Sequence, residues 1–417
     1  MSSTNGAISA AKLRLASARR KVRAFLEQID QLEASDFPHS DGREALAFIK
    51  QHFIIRQNAL RDLPVTVSDN VIGQMCADTS VSLARYTEVL GFILRSTNVR
   101  NAFEVHFPLK RLVGQVISPK AKLVMSSEWD FVPFTYPMNL DLLPDFVLVG
   151  GPAPESGNVL IIPLAGHEIG HSAWRSHNVK RSIQDAVTRA VDQAIASDPS
   201  EADRVLQELS AAGLDLSYLQ NACLSSALRQ LEEAFCDLFG LYVFGEAYLY
   251  AYEYFLAPGG GKRSSSYPSS ADRVQYLLAG ANALGISFDQ DLFDGWLDST
   301  SRSSIDSDVL AFADAAVAQM VPQLRDIAFG LLGEKKVTVN RQETVDRVVS
   351  AYQARVPDGE GATLAEIVTA GWRYIRHAGG LSLEADRPEH DMLNELMLKS
   401  IEVSEFLLRV KASAQRK

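Results

Sequence analysis

Five residues constrain this chain more than any others: His167-Glu168-Ile169-Gly170-His171. An α-helix puts positions four apart on one face, so a helix here aims both imidazoles at the same spot. Two converging imidazoles can hold a zinc ion, and Glu168 stands where it can work on a water held there. Catalytic zinc takes three protein ligands and leaves one place for water, so a third ligand must come from elsewhere in the chain.

Two candidates compete for that place. His177 lies six residues after His171, as in H-E-x-x-H-x-x-G-x-x-H, but the glycine that would turn the chain back is Trp174 here, and a bulky residue resists that turn. The second candidate lies in Leu231-Glu232-Glu233-Ala234-Phe235-Cys236-Asp237, within a predicted helix over 225–250. Glu233 and Asp237 share a face, so Glu233 can ligate while Asp237 accepts the outer N–H of a ligand histidine. A solvated acidic face is the plain alternative for Glu232, Glu233 and Asp237. Phe235, Leu238, Phe239, Leu241, Val243 and Phe244 surround them, however, and carboxylates in so apolar a helix need partners.

His167-Glu168-x-x-His171 followed by Glu233-x-x-x-Asp237 resembles the gluzincin branch of zinc metallopeptidases. Within that branch it is most similar to the family of the CaaX prenyl endopeptidases and bacterial heat-shock membrane peptidases. Tyr267-Pro268-Ser269-Ser270-Ala271-Asp272-Arg273 stands where that family has a His-Pro…Arg element, and Gly240 also resembles the family's helix. The resemblance covers about residues 140 to 280. It implies a Zn2+ cofactor on His167, His171 and Glu233, Asp237 orienting a histidine, Glu168 as general base, and hydrolysis of protein or peptide substrates. It further implies Arg273 and Tyr267 at the substrate oxyanion, with Tyr267 in place of the family histidine. Those peptidases are membrane-embedded, whereas this chain has no apolar run of eighteen residues and is expected to have no membrane span.

The net charge of −10 argues against a general nucleic-acid binder. Cys76, Cys223 and Cys236 are far apart, so neither a disulfide framework nor a cysteine-based zinc site is expected. With no apolar targeting segment in residues 1–10, a reducing, cytoplasmic compartment is expected.

A mainly α (α+β) fold is expected, with a zincin-like core over 108–290, a small β-sheet, and helical regions over 1–107 and 291–417. Residues 9–33 carry an apolar heptad through Leu15, Ala18, Val22, Phe25, Ile29 and Leu32. Packing on the protein's own body is the preferred use of that stripe, over docking another protein. Further helices are expected over 41–59 and 71–94, the second capped by Asp69. Strands are expected over 122–127 and 146–150, with an extended segment over 131–136, as a sheet beside the motif helix. Gly166 and Gly170 suggest close backbone approach at that helix. Residues 180–219 read as helical spacer and 258–270 as a flexible loop. Helices return after 273, one opened by the capping box Thr363-x-x-Glu366. The rival functional reading is a catalytically idle zincin-fold scaffold or partner-binding protein, suggested by the large helical flanks.

Overall fold

The computed structural model describes residues 10–64, 66–97, 103–129, 142–155, 157–211, 213–256, 264–294, 305–376 and 387–414. They are mainly α-helical with one small sheet, the class expected from the sequence. Among them no helix is long and apolar enough to cross a membrane. The chain divides into two compact units: residues 1–103, 120–131 and 135–153 form the first, and residues 104–119, 132–134 and 154–417 the second. The sequence suggests three parts, with breaks near 107 and 290. The strands expected beside the motif helix group with the N-terminal helices instead.

The first unit holds α1 (Ala10–Glu33), α2 (Ser40–Arg61), α3 (Asp69–Arg95), β1 (Lys122–Glu128) and β2 (Phe146–Pro152). Ala18, Val22, Ile29 and Leu32 of the α1 heptad are buried, and Leu15 and Phe25 partly so, in a core shared with α2 and α3. That packing uses the stripe that a docking partner would need. Cations early and anions late oppose the α1 dipole, and α2 offsets this. Arg19 donates to the carbonyls of Leu60 and Arg61 at the end of α2, while Lys50 bridges Asp30 and Glu33 at 2.8 and 2.6 Å. Ser68, not Asp69, takes the N-cap position of α3. β1 and β2 pair in parallel, Leu123 beside Val147, and both are buried almost throughout, which explains their continuous apolar runs. Residues 131–136 lie outside the described residues.

The second unit holds α4 (His106–Val116), α5 (Ala165–Ser176), α6 (Val179–Ser197), α7 (Pro199–Ala211), α8 (Leu216–Phe244), α9 (Glu246–Leu256), α10 (Ser270–Ala283), α11 (Ile305–Glu334), α12 (Gln342–Gln353), α13 (Leu364–Arg376) and α14 (Arg387–Ala414). Its axis is α8. Between Gln230 and Phe244 every residue but Glu232 and Tyr242 is buried. A helix apolar on nearly all sides needs neighbours on all sides, and α5, α6, α10 and α11 supply them. The helix expected to run on to Tyr250 stops at Gly245, whose φ of 60° and ψ of −137° no L-residue adopts without strain. The chain restarts as α9, folded back so that Tyr248 lies over Gly240.

Helix α5 follows a buried 3-10 turn over Val159–Leu164, whose first turn Asn158 caps by accepting from Leu160 N at 3.0 Å. Trp372 of α13 donates to the Leu160 carbonyl at 2.9 Å, a core role for the residue. The box at Thr363 and Glu366 forms in both directions, at 2.8 and 3.2 Å.

Candidate metal centre

Helices α5 and α8 cross closely because glycines let them. A Cβ on Gly166 would lie 3.0 Å from Gly240 Cα, and one on Gly170 would lie 2.9 Å from Cys236 Cα. The close approach inferred for these glycines is therefore made, and the helix it serves is the one carrying Glu233 and Asp237.

His167 and His171 sit one turn apart on α5, ring centroids 5.0 Å apart and nearly perpendicular. His167 Nδ1 is 2.8 Å from Asp237 Oδ1, and His171 Nδ1 is 3.0 Å from Glu232 Oε1. An ionised carboxylate only accepts, so each Nδ1 carries the hydrogen and donates it. The Nε2 atoms are left to face Glu233, His167 Nε2 at 3.3 Å from Oε2 and His171 Nε2 at 3.8 Å from Oε1. These are close approaches without hydrogen-bond geometry, and Glu233 Oε2 is buried without a hydrogen-bond partner. Two ring nitrogens and a buried carboxylate aimed at one another repel unless a cation lies among them.

The residues fit a divalent metal, with two imidazole nitrogens and one carboxylate facing one another. Without a metal, a proton fills the need. Burial opposes charge on His167, but Asp237 and Glu233 outweigh it and raise its pKa to about 10. Burial likewise raises Glu233, and the two histidines overcome that and hold it below the ordinary carboxylate range. Glu168 is buried beside them, and its loss of solvent raises its pKa.

Asp237 is the most heavily bonded group of the centre. Besides His167 it accepts from Tyr248 Oη at 2.9 Å and from Arg273 Nε and Nη2, each at 2.8 Å. Burial would raise its pKa, but Arg273 and His167 drive it far below the usual range. Arg273, expected at the oxyanion, is thus committed as a two-pronged donor to Asp237, because a buried carboxylate needs a buried countercharge. Its guanidinium also lies 5.4 Å from the Tyr252 ring centroid and 5.7 Å from that of Tyr267. Tyr267 is half-exposed, and the charge of Glu233, then burial, pushes its phenol up to about 12, so it remains a proton donor.

His177 is placed elsewhere. It caps the end of α5, and its Nε2 pairs with the Val116 carbonyl at 2.9 Å. Cys236 lies beside the two histidines, although no cysteine-based zinc site is expected from the sequence. Its Sγ lies within 4.8 Å of a ring nitrogen of both His167 and His171, so it is a second possible third ligand. The Glu233 carboxylate, which faces both Nε2 atoms at 3.3 and 3.8 Å, is the other. Cys236 is fully buried, and burial followed by the charges of Glu233, Glu232, Glu168 and Asp237 raises its thiol well above the ordinary pKa, so a metal taken by the sulfur would have to displace a firmly held proton.

Sequence reasoning also missed the roles of Glu232 and Tyr248. Glu232 stands next to Glu233 and had a weak signal as an acid on an apolar helix. Tyr248 had none, since its approach depends on the turn at Gly245. No family model, curated protein or solved structure matches this chain.

Proposed function

We propose that this chain is a zinc-dependent peptidase, with His167, His171 and Glu233 as the metal ligands. The observation that carries the reading is the convergence of both Nε2 atoms on the Glu233 carboxylate, each ring anchored from behind by a second carboxylate. When bound, the ion supplies Lewis acidity, acidifying a water and polarising a carbonyl. Glu168 takes the proton from the attacking water and returns it to the departing amine; its raised pKa suits both transfers. Tyr267, half-exposed and protonated, donates to the carbonyl oxygen as negative charge develops. Asp237, Glu232, Tyr248 and Arg273 hold the two rings in tautomer and direction.

Cys76, Cys223 and Cys236 are free and buried, which fits a reducing compartment, and we assign the chain to the cytoplasm on that ground. The test is Glu168→Gln, assayed on an unfolded protein substrate with metal content measured in parallel. Zinc is expected to stay bound while cleavage falls by at least a hundredfold. Full cleavage by the variant would remove Glu168 from this role, and absence of cleavage by the zinc-loaded parent would favour an idle metal-binding scaffold.

A further inference from the structure

A cleft of about 280 Å³ lies in the second unit, and no residue of the metal centre lines it. Its walls are two helix faces. Helix α4 contributes Pro108, Leu112 and Gln115, and α14 contributes Ser404, Leu408 and Lys411, each set spaced i, i+4, i+7 and so on one side of its helix. The end of α8 lies between them with Val243 and Phe244, and the segments 336–338 and 361–365 complete the lining. Arg111 of α4 pairs with Glu405 of α14, and Gln115 donates to the Lys335 carbonyl at 2.8 Å, so the walls are tied together.

The charge of this lining runs against the rest of the chain. The protein carries 51 acidic and 41 basic residues, yet the cleft is lined by three cations, Arg111, Lys336 and Lys411, and by no carboxylate. Glu405 answers Arg111. Lys336 and Lys411 are exposed and make no ion pair among the described residues. A cleft that mixes apolar side chains with two unanswered ammonium groups suits a ligand with an apolar body and an anionic head. The volume lies near the lower end of small-molecule sites.

We propose that this cleft binds a free long-chain carboxylate, its acyl chain between Leu112 and Leu408 and its head toward Lys336 and Lys411. The site is independent of the peptidase reading.

The test is calorimetric titration of the full chain with dodecanoate below its micelle concentration. Dodecyltrimethylammonium, with the same tail and the opposite head charge, is the comparison. Saturable one-to-one binding of dodecanoate is expected, weakened at least tenfold by Lys336→Glu with Lys411→Glu and, separately, by Leu408→Gln, with no saturable binding of the cation. All three positions are exposed, and circular dichroism is to check that each variant folds. Should the double reversal fail to fold, Lys411→Ala replaces it in the same comparison, again with weaker binding expected. Non-saturable binding overturns the proposal, as does affinity indifferent to the substitutions or equal affinity for the cationic detergent. Tighter binding of an acidic amphipathic peptide than of dodecanoate overturns it as well, and makes the cleft a protein-docking groove.

Discussion

Tyr248 donates its phenolic hydrogen to Asp237 Oδ1 at 2.9 Å, from a helix that begins only after α8 has ended. Asp237 in turn holds the His167 ring, so a residue on α9 reaches the proposed metal through two hydrogen bonds. Its own burial, then the charge of Asp237, pushes the Tyr248 phenol well above its ordinary pKa and keeps it a donor.

Tyr248→Phe keeps the ring and removes that donor. Asp237 retains Arg273 and His167, so the protein is expected to fold, with a loss of about 1 to 3 kcal/mol of stability. Zinc affinity, read by competition with a chromophoric chelator, is expected to fall about tenfold. Unchanged affinity would make Tyr248 a packing residue only.

The identity of the third ligand separates Glu233 from Cys236. Cys236→Ala is expected to bind one equivalent of zinc, while Glu233→Ala retains none after dialysis against a weak chelator. The opposite pattern would assign the sulfur. Glu232→Gln is expected to lie between these extremes, weakening zinc by roughly 10- to 100-fold, since it removes the carboxylate behind His171 without removing a ligand.

Two glycines at the helix crossing and one away from it predict opposite outcomes for one chemical change. Gly170→Ala places a methyl against the Cys236 backbone, where nothing flexible can yield, and is expected to cost roughly 1 to 3 kcal/mol. Gly240→Ala would put a Cβ 2.2 Å from Tyr248 Cε2, so it is expected to dislodge that ring and weaken zinc as Tyr248→Phe does. Gly114→Ala in α4 meets nothing within 4 Å and is expected to stabilise by about 0.5 to 1 kcal/mol. Melting temperatures of the three variants check the set.

The pH dependence of the metal-free and loaded protein should differ in sign. Without metal, His167 is raised from its ordinary 6.5 to about 10. A raised cationic group contributes its full stability below about pH 6.5 and loses it as pH climbs toward 10. Zinc must displace that proton, so its stabilising increment grows across the same window. Melting in chelator and in zinc at pH 6.5, 7.5 and 8.5 reads this directly, and calorimetry in buffers of different ionisation enthalpy should find protons released on binding. No net release at pH 7.5 would contradict the protonated His167.

Much is legible in the sequence because helical periodicity is local. The four-residue spacing of His167 and His171, the shared face of Glu233 and Asp237, the heptad of α1 and the box at Thr363 are each written within a few consecutive turns. Each forms as its spacing implies. The glycines at 166 and 170 signalled close approach, though not to what.

The remainder was decided by contacts between residues far apart in the chain. Arg273 turns to Asp237 from 36 residues away, because the buried carboxylate offers it a stronger partner than solvent does. The break at Gly245 rests on one backbone conformation, and with it comes Tyr248, invisible to any periodicity. Both strands join the N-terminal helices, since a short apolar run says that it will be buried and not by which neighbours. The sequence alone determined which side chains share a helix face. Only tertiary packing decided which faces meet, because that depends on a close crossing of two helices and on burial that leaves each charged group few available partners.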